Sequence, residues 1–428
     1  MDINYIALAI PFFLVLIGFE VWFARHERKE YYRFNDAIND LSCGVAQQVV
    51  GVFSKIAIVA GYIWIYKNFA FFEIASQSIL TWIALLFGVD FCYYWFHRVS
   101  HRMNAPWAAH IVHHQSEEFN LAVALRQGTF QSWFSWIFYL PLALLGFPPL
   151  MFLTMSAFDT LYQFWIHTRA IDKLGPLEWV MNTPSHHRVH HGRNPRYLDK
   201  NYAGIFIIWD RLFGTFEPET EPVVYGVTEP LNSWNPIWAN FHYWAKLKNL
   251  AAQFPRFIDK VKLFFMPPEW RPAGLAPLPP HPEVTPETYV KYDTRTPLGL
   301  NLYVFVHFLP VIAATFYLLQ KESVWPAAWR IATAAMILLA LLTLGGILDK
   351  RKWAFQLEFV RLAALAVAAI TASLGHELFM LLVLLTFVLA AVVTFWLGSY
   401  RHIFGVQAPA DVPSKYPGHV STISRSET

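Results

Sequence analysis

A chain of 428 residues that is 55% hydrophobic and only 15% charged is too apolar for an ordinary water-soluble protein. Its formal net charge of +3 is small and gives no signature of nucleic-acid binding. Because Cys43 and Cys92 are its only cysteines, the chain offers neither a disulfide framework nor a thiolate metal site.

Three predicted membrane spans occupy the first part of the chain. Apolar runs of roughly 17–25 residues are typical of such spans, and they occur at residues 3–24, 44–66 and 78–96. The first run has no basic start and no small-residue cleavage site, so we expect a retained anchor rather than a signal peptide. The third run leads directly into His97, which places a histidine at the end of a span.

A helical hairpin is predicted next, with arms at residues 130–147 and 150–166 and a turn at 146–149 that contains two prolines. Each arm is at the short limit for a membrane span, and Pro141 is expected to kink the first arm. We therefore expect the hairpin to enter and leave the membrane on the same side.

Residues 168–298 form a polar and basic segment that has two more apolar parts. The run at 201–214 is apolar enough to be expected against a membrane face. Residues 235–266 carry Lys, Phe and Trp in a pattern that predicts an amphipathic helix at the membrane interface. The many prolines of residues 267–298 predict an extended linker.

Four further apolar runs follow the linker, at about 299–319, 327–347, 355–373 and 377–398. Together with the earlier runs they predict an all-α, multi-pass transmembrane protein. The predicted division is a histidine-bearing domain, a proline-rich linker, four C-terminal membrane helices and a polar tail, at residues 1–266, 267–298, 299–398 and 399–428.

Lysine and arginine residues in short loops predict how the spans are oriented. The loop after the first span carries four such residues and the loop at 349–352 carries three, whereas the loops on the opposite face carry only Lys67 and Lys321. An N terminus outside the cytosol agrees with all of these loops. It places the histidine-rich segments and the C terminus on the cytosolic side.

Ten of the 17 histidines lie between residues 97 and 191, mostly in three motifs with repeated spacing. Residues three or four apart share one face of a helix, so each motif presents two or three imidazoles on one side. Imidazole binds Fe, Zn, Cu and Ni, and one zinc needs only three or four protein ligands, so eight or nine histidines favour two metals. The candidates are His97, His101, His110, His113, His114, His187, His190 and His191, with His186 pointing partly away.

Two acidic residues lie in apolar segments close to these histidines and are candidate catalytic residues. Asp90 lies seven residues before His97, two helical turns back on the same face, and Asp159 lies eight residues before His167. An acid within a membrane segment is by default a functional candidate, and carboxylates often orient ligand imidazoles. We expect both acids to orient ligand histidines, and the alternative is a structural, hydrogen-bonded role.

Three runs around the histidines, covering about residues 90–217, resemble the fatty acid hydroxylase/sterol desaturase superfamily of membrane di-iron oxygenases. They are YWFHRVSH, WAAHIVHHQSEEFNLAVALRQ and HRVHHGRNPRYLDKNYAGIFIIWDRLFGTFEPE. The parts SEEFNLAVALRQ and GRNPRYLDKNYAG, and the extra C-terminal spans, are similar to the branch of the superfamily that cleaves ether lipids. That branch has glutamate where this chain has Arg102.

The resemblance implies a centre of two iron ions (Fe2+). Relatives often have a histidine at the position of Gln163, so that ligand is expected to be absent or replaced by water. The iron ligands that the resemblance implies are His97, His101, His110, His113, His114, His187, His190 and His191, with His167 as a further ligand.

The same resemblance implies an iron-dependent lipid monooxygenase that cleaves the ether bond of alkylglycerol lipids to an aldehyde and a glycerol derivative. Its partners would be a membrane lipid, O2 and an external electron donor, since the sequence has no GxGxxG or P-loop motif. The implied donor is tetrahydrobiopterin, or else a small electron carrier. Candidate pterin contacts are Glu117, Asn120, Arg126 and Gln127, which helix capping or salt bridging would also explain.

Two other functions are also compatible with the sequence. A sterol, carotenoid or acyl-chain hydroxylase or desaturase of the same superfamily would use the same ligands. A divalent-metal transporter or sensor would place its ligands near the bilayer midplane, whereas these histidines lie at span ends and in cytosolic loops. We expect the protein in a bacterial inner membrane or the endoplasmic reticulum, with the C-terminal spans serving either helix packing or a homodimer contact.

Overall fold

The computed structural model describes residues 5–275 and 278–405, and the regular structure of these residues is helical. They form no strand, and two isolated bridges join Met181 to Phe206 and Gly192 to Tyr225. The all-α prediction is confirmed. The described α-helices are α1 Tyr5–His26, α2 Phe34–Phe69, α3 Ile79–Arg102, α4 Asn104–His114, α5 Leu121–Ala124, α6 Gln131–Leu145, α7 Pro149–Trp165, α8 Pro184–His190, α9 Ile208–Phe213, α10 Pro236–Ala252, α11 Phe257–Lys262, α12 Leu298–Lys321, α13 Ala327–Leu348, α14 Lys352–Ala372 and α15 Phe379–Gly398.

Seven of these helices, α1 to α3 and α12 to α15, are long and apolar enough to cross a membrane. They coincide with the seven predicted spans, so the chain is a multi-pass membrane protein. Helix α2 differs most from its prediction, because it begins at Phe34 rather than near residue 44 and reaches 36 residues. Its added turns carry buried polar residues such as Asp36 and Asp40, so no apolar run marks them in the sequence.

Helices α6 and α7 form the predicted hairpin. With 15 and 17 residues they are about 22 and 26 Å long, shorter than the roughly 30 Å hydrocarbon core of a bilayer. Gly146 ends α6 with a φ of +98°, and a Cβ at this position would lie 1.9 Å from the carbonyl oxygen of Phe72. Only glycine fits this turn. Entry and exit of the hairpin on one membrane side stays a prediction.

The segment before the linker departs from two predictions. Residues 235–266 are not one amphipathic helix, because Pro255 removes a backbone donor and restricts Phe254, so α10 ends at Ala252 and α11 follows as a separate helix. Residues 201–207 are buried inside the protein rather than against a membrane face.

The C-terminal helices pack on the histidine-bearing part of the chain. Helices α12 and α13 both contact α2, and α13 also contacts α10. Val49 of α2, Tyr303 of α12 and Leu344 of α13 belong to one buried core. Helices α14 and α15 lie at the periphery and leave most of their apolar side chains exposed, as expected of lipid-facing helices. The polar tail beyond residue 405 lies outside the described residues.

Candidate metal centre

Four stretches of chain bring nine of the predicted histidines together. Helices α3, α4 and α8 each present theirs on one face, because the residues are three or four positions apart. Each of the nine side chains is buried, with at most 8% of its surface exposed. In chain order they are His97 and His101 on α3, His110, His113 and His114 on α4, His167 just after α7, His187 and His190 on α8, and His191 at the end of α8.

The nine imidazoles form two groups, within which one ring nitrogen per residue lies within 4.8 Å of the others. The groups adjoin, since the ring centroids of His114 and His191 are 4.4 Å apart. Two adjoining groups of this size suit two metal ions better than one. The first group is His97, His101, His110, His114 and His190, and the second is His113, His167, His187 and His191.

Backbone carbonyls orient the rings. A carbonyl oxygen only accepts, so an Nδ1 atom that contacts one carries the proton and donates it, and the ring's Nε2 keeps its lone pair. The Nε2 atoms of His97, His101 and His190 are buried and have no hydrogen-bond partner among the described residues. The Nδ1 atoms that donate to carbonyls, over 2.6–2.9 Å, are those of His97 to Tyr202, His113 to Arg126, His167 to Gln163 and His190 to Lys200.

Short distances between Nε2 atoms indicate that a cation belongs in the centre. The Nε2 atom of His167 lies 3.2 Å from that of His113 and 2.9 Å from that of His187. Because Nδ1 of both His113 and His167 holds the proton, their Nε2 lone pairs face each other, which is repulsive without a shared positive ion. Two nitrogens bound 2.0–2.1 Å from one metal at 90–110° lie about 2.8–3.4 Å apart. The residues present therefore fit metal ions.

Burial keeps the histidines neutral. It lowers the pKa of His110 to about 3, an effect that His101 strengthens and the hydrogen bond with Gln131 opposes. It also lowers the pKa of His167 to about 4, against the hydrogen bond with Gln163. The pKa of the remaining rings on α4 and α8 is well below 6.5, because burial and neighbouring imidazoles disfavour a charge. Neutral imidazole is the form that binds metal.

Aromatic side chains close the centre. The ring centroid of Trp107 lies 4.8 Å from that of His101. Phe119 is fully buried and stacks on His167, with centroids 5.6 Å apart. These walls exclude water, so polar groups inside interact more strongly than they would in solvent.

His186 is the one predicted ligand that the structure places outside both groups. Neighbouring residues on a helix are about 100° apart, so His186 faces away from His187. Its ring packs edge-on against Phe216, with centroids 5.4 Å apart. It lines a separate cavity on the far side of α8.

The structure does not place Asp90 and Asp159 as the sequence predicted, since neither has a hydrogen bond with a ligand histidine among the described contacts. Asp90 accepts from the backbone N–H groups of Ile205 and Phe206 at 2.6 and 3.0 Å and from Trp209 Nε1 at 2.8 Å. Asp159 accepts from the Gln163 side chain at 2.8 Å. Asp90 thus positions backbone near the centre, and Asp159 holds a side chain of its own helix, α7.

The four predicted pterin contacts lie beside the second histidine group but have other partners. Asn120 caps α5 by accepting from the backbone of Ala122. Glu117 accepts from Arg33 and from the hydroxyl of Tyr289. Gln127 Nε2 lies 3.4 Å from His113 Nδ1.

Arg126 is fully buried and links several elements. Its guanidinium donates to Asp40 of α2 at 3.0 Å, to the carbonyl of Val112 at 2.6 Å and to Gln115 at 2.9 Å. Its own carbonyl accepts from His113 Nδ1 at 2.8 Å. Arg126 therefore ties α2 and α4 together next to a metal-facing ring.

Sequence reasoning missed several residues that hold the histidines. Gln131 places its Oε1 atom 2.8 Å from Nδ1 of His110, and the carbonyls of Lys200 and Tyr202 hold rings from two motifs. Carbonyls leave no signal in a sequence, and one glutamine at the start of α6 does not stand out. Asp199 lies 3.7 Å from Nδ1 of His101 and also pairs with Arg102.

Two family models match the chain. The model of the fatty acid hydroxylase family matches residues 82–215, which contain all nine clustered histidines. The model of the alkylglycerol monooxygenase C-terminal domain matches residues 300–387, from α12 into α15. No solved structure gives a significant match.

Similar proteins cover most of the chain. The alkylglycerol monooxygenase of Xenopus tropicalis is 41% identical over 84% of this chain and 80% of its own. That of Homo sapiens is 40% identical over 84% of this chain and 81% of its own. The ornithine lipid hydroxylase OlsE of Rhizobium tropici is 30% identical over 35% of this chain and 44% of its own.

Proposed function

This chain belongs to the alkylglycerol monooxygenase family of fatty acid hydroxylases and is a lipid monooxygenase, and we propose that it cleaves the ether bond of alkylglycerol lipids. Hydroxylation of the carbon next to the ether oxygen gives a hemiacetal, which collapses to an aldehyde and a glycerol derivative. The lipid substrate and O2 follow from the family, and the ether specificity is our proposal. It rests on similarity that extends beyond the histidine region into the C-terminal helices.

The two adjoining groups of neutral, buried imidazoles are the observation that carries this proposal. We propose that all nine histidines are ligands, with His186 excluded. Two iron ions bound there would supply the activation of O2 that attack on an unactivated C–H bond requires. The carbonyls of Tyr202, Arg126, Gln163 and Lys200 hold the Nδ1 protons, so that each Nε2 lone pair points inward.

The surrounding protein would orient the lipid and keep water away. The centre lies at the end of α3, and α6 and α7 pack against this span, so an alkyl chain held among them has its reacting carbon near the metals. Phe119 and Trp107 exclude solvent from the histidines. We also propose that Asp90, through the backbone at Ile205 and Phe206, supports the segment whose carbonyls hold His97 and His190.

Electrons are proposed to come from tetrahydrobiopterin, or from a small carrier that replaces it. Such a donor would approach from the cytosolic side, near Glu117 and Gln127. Asn120, Arg126 and Glu117 are occupied by partners within the protein, so these three are proposed as supports of this region, and the partly buried Gln127 as the direct contact.

The orientation is proposed from the basic loops, which put the centre on the cytosolic face of a bacterial inner membrane or the endoplasmic reticulum. Residues 1–266 would act as the hydroxylase domain, joined by the linker at 267–298 to four C-terminal helices. One chain provides all nine histidines, so a homodimer is not needed to complete the centre. A dimer through the exposed faces of α14 and α15 stays a prediction.

The first test is the metal content of protein purified without oxygen, followed by reaction with an alkylglycerol, a tetrahydropterin and O2. We expect two irons per chain and a trapped aldehyde. The matched control is a diacylglycerol of equal chain length, which has esters in place of the ether and should give no aldehyde.

A second candidate is hydroxylation of a lipid without ether cleavage, which the similarity to the ornithine lipid hydroxylase favours. Two irons with a hydroxylated acyl lipid and no aldehyde would establish this alternative. Protein that holds no iron after careful handling would contradict both.

A further inference from the structure

A cavity of about 240 Å³ lies on the side of α8 that faces away from the metal centre. Its lining includes Lys173 and Trp179 from the segment before α8, and Arg211 and Phe216 from α9 and the residues after it. The cavity is smaller than the roughly 300–1,000 Å³ of sites that enclose a drug-sized ligand. It has room for a headgroup rather than for a whole lipid.

His186 forms part of the cavity and is not used by the metal centre. Only 3% of this residue is exposed, and its Nδ1 atom is buried without a hydrogen-bond partner among the described residues. A buried polar atom without a partner costs free energy. Ser185, its neighbour on α8, also lines the cavity. Helix α8 thus presents metal-facing histidines on one side and polar cavity residues on the other.

Lys173, Arg211, Glu178 and Glu219 line the cavity, and because Arg188 neutralises Glu219, the two cations face one remaining carboxylate, Glu178. Glu219 is bound by Arg188 and Ser185 at 2.8 Å each, and Glu178 accepts from the Thr183 hydroxyl at 3.0 Å. Among the described residues, Lys173 donates to the carbonyl of Glu219 alone.

Arg211 is likewise held without a carboxylate. It stacks on the rings of Phe216 and Trp179 and donates to a backbone carbonyl, that of Glu178. Neither Lys173 nor Arg211 has an acidic partner within 4.0 Å in the described part of the chain. Two cations opposed by the single charge of Glu178 leave a net positive charge, which favours an anionic ligand.

Exposed apolar residues adjoin the cavity residues in the chain, and one of them, Trp179, lines the cavity. Leu177, Trp179, Val180 and Leu212 are between 48% and 69% exposed. Helix α9, which carries Leu212, packs against span α3 through contacts such as Phe91 with Trp209. Exposed apolar residues next to a span, with basic residues among them, are typical of the membrane interface. The cavity therefore lies at the level of the lipid headgroups.

We propose that this cavity binds the phosphate of a membrane phospholipid headgroup, with Lys173 and Arg211 as its cationic contacts. His186 provides a further polar contact, and Trp179 and Leu212 lie against the acyl region. A lipid bound here contacts the side of α8 that faces away from the metal centre, so it stabilises the helix that carries His187 and His190. This site goes beyond the proposed reaction and does not depend on the substrate.

The test is native mass spectrometry of the purified full-length protein in detergent, with phosphatidylglycerol added. Wild-type protein should retain one phosphatidylglycerol, and the double variant Lys173→Gln/Arg211→Gln should bind it roughly 30-fold more weakly. The matched control is Lys248→Gln/Lys262→Gln, which removes the same charge from α10 and α11, outside the cavity. It should bind like wild type.

Three results would overturn the proposal. The double variant could retain phosphatidylglycerol as wild type does, or diacylglycerol, which lacks phosphate, could occupy the site equally well. Glycerol 3-phosphate could displace the lipid completely, which would assign the site to a soluble phosphate instead. Unchanged iron content and melting temperature of the double variant in lipid-free detergent would show that it folds.

Discussion

The histidine-bearing part of the chain and the four C-terminal helices have interiors of different polarity. Around the metal centre the interior is polar, with nine buried imidazoles whose Nε2 atoms face one another. Between α12 and α13 it is apolar, with residues such as Val304, Leu341 and Leu344 fully buried or nearly so. One interior is organised for an ion, and the other by packing.

Each half nevertheless contains a buried arginine that pairs with a fully buried carboxylate. Arg126, 1% exposed, pairs with Asp40 in the metal-bearing half, and Arg361, 3% exposed, pairs with Glu358 in the C-terminal half. The hydroxyl of Tyr303 also donates to Glu358, at 2.7 Å, which joins α12 to α14. The two arginines have different roles, since Arg126 supports a ligand histidine and Arg361 joins two membrane helices. Substitutions in the two halves can separate these roles.

The largest effect is expected from His110→Ala. Removing this imidazole takes one nitrogen from the first group, so monooxygenase activity should fall by at least roughly 100-fold. Bound iron should also decrease while the protein remains folded. Iron content, activity and melting temperature are measured together.

The matched control is His376→Ala, in the short loop between α14 and α15. It should leave iron and activity at wild-type values. Full activity of the His110→Ala variant would remove this residue from the ligand set.

Arg126→Met and Arg361→Met test the two buried ion pairs directly. Each leaves a fully buried carboxylate without its charged partner, so each should lower the free energy of unfolding by about 3–5 kcal/mol. Arg126→Met should in addition weaken iron binding by roughly 10–100-fold. The substitution removes the guanidinium bonds that fix residue 126, and the carbonyl of that residue holds His113. Denaturation in mixed micelles and iron titration give the two quantities.

The comparison would fail if Arg361→Met weakened iron binding as much as Arg126→Met does. Where a methionine variant does not accumulate, Arg126→Lys and Arg361→Lys retain the charge and lose the forked geometry. The same contrast in iron binding should appear in that pair with smaller losses of stability.

The sequence predicts those features whose signals are local. Seven spans follow from apolar runs, and the sharing of a helix face by His97 and His101 follows from their spacing. The early start of α2 could not be predicted, because Asp36 and Asp40 look like loop residues until Ser116 and Arg126 arrive from about 80 residues away.

The orienting contacts of the centre are hidden for a similar reason. The Nδ1 atoms of His97 and His190 bind carbonyls, and a carbonyl is present at every position of a chain. Asp90 stands out as an intramembrane acid, but its partners depend on how the segment at 204–209 folds back onto α3. Residue type predicts the candidate ligands, while the tertiary fold decides what holds them.

The polar interior should make iron-free protein sensitive to acid. The pKa of His167 is about 4 in the folded protein and about 6.5 when unfolded, so between these values only the unfolded state takes up the proton. Stability is therefore lost as the pH falls from about 6.5, by about 1 kcal/mol over the first pH unit for this ring. The iron-free variant His167→Gln should show a slope shallower by that amount between pH 6.5 and 5.5.

Asp210 acts in the opposite direction. Burial raises its pKa to about 6, so its protonated form stabilises the folded state as the pH falls. It is present in both proteins and cancels in the comparison of their slopes. Identical slopes for wild type and His167→Gln would show that this ring is not buried as a neutral group.

The smallest effect is expected from Arg102→Gln, at the position where the ether-lipid branch was expected to have glutamate. Arg102 pairs with Asp199 and Glu269, but about half of its side chain is exposed, and exposed pairs contribute at most about 1 kcal/mol. The buried ring of His101 lies 3.7 Å from Asp199, and this contact remains after the substitution. Iron content should therefore be unchanged, and activity should stay within roughly fivefold of wild type. A large loss of iron in Arg102→Gln would mean that a surface ion pair supports the centre, and that the carbonyl contacts do not hold the histidines by themselves.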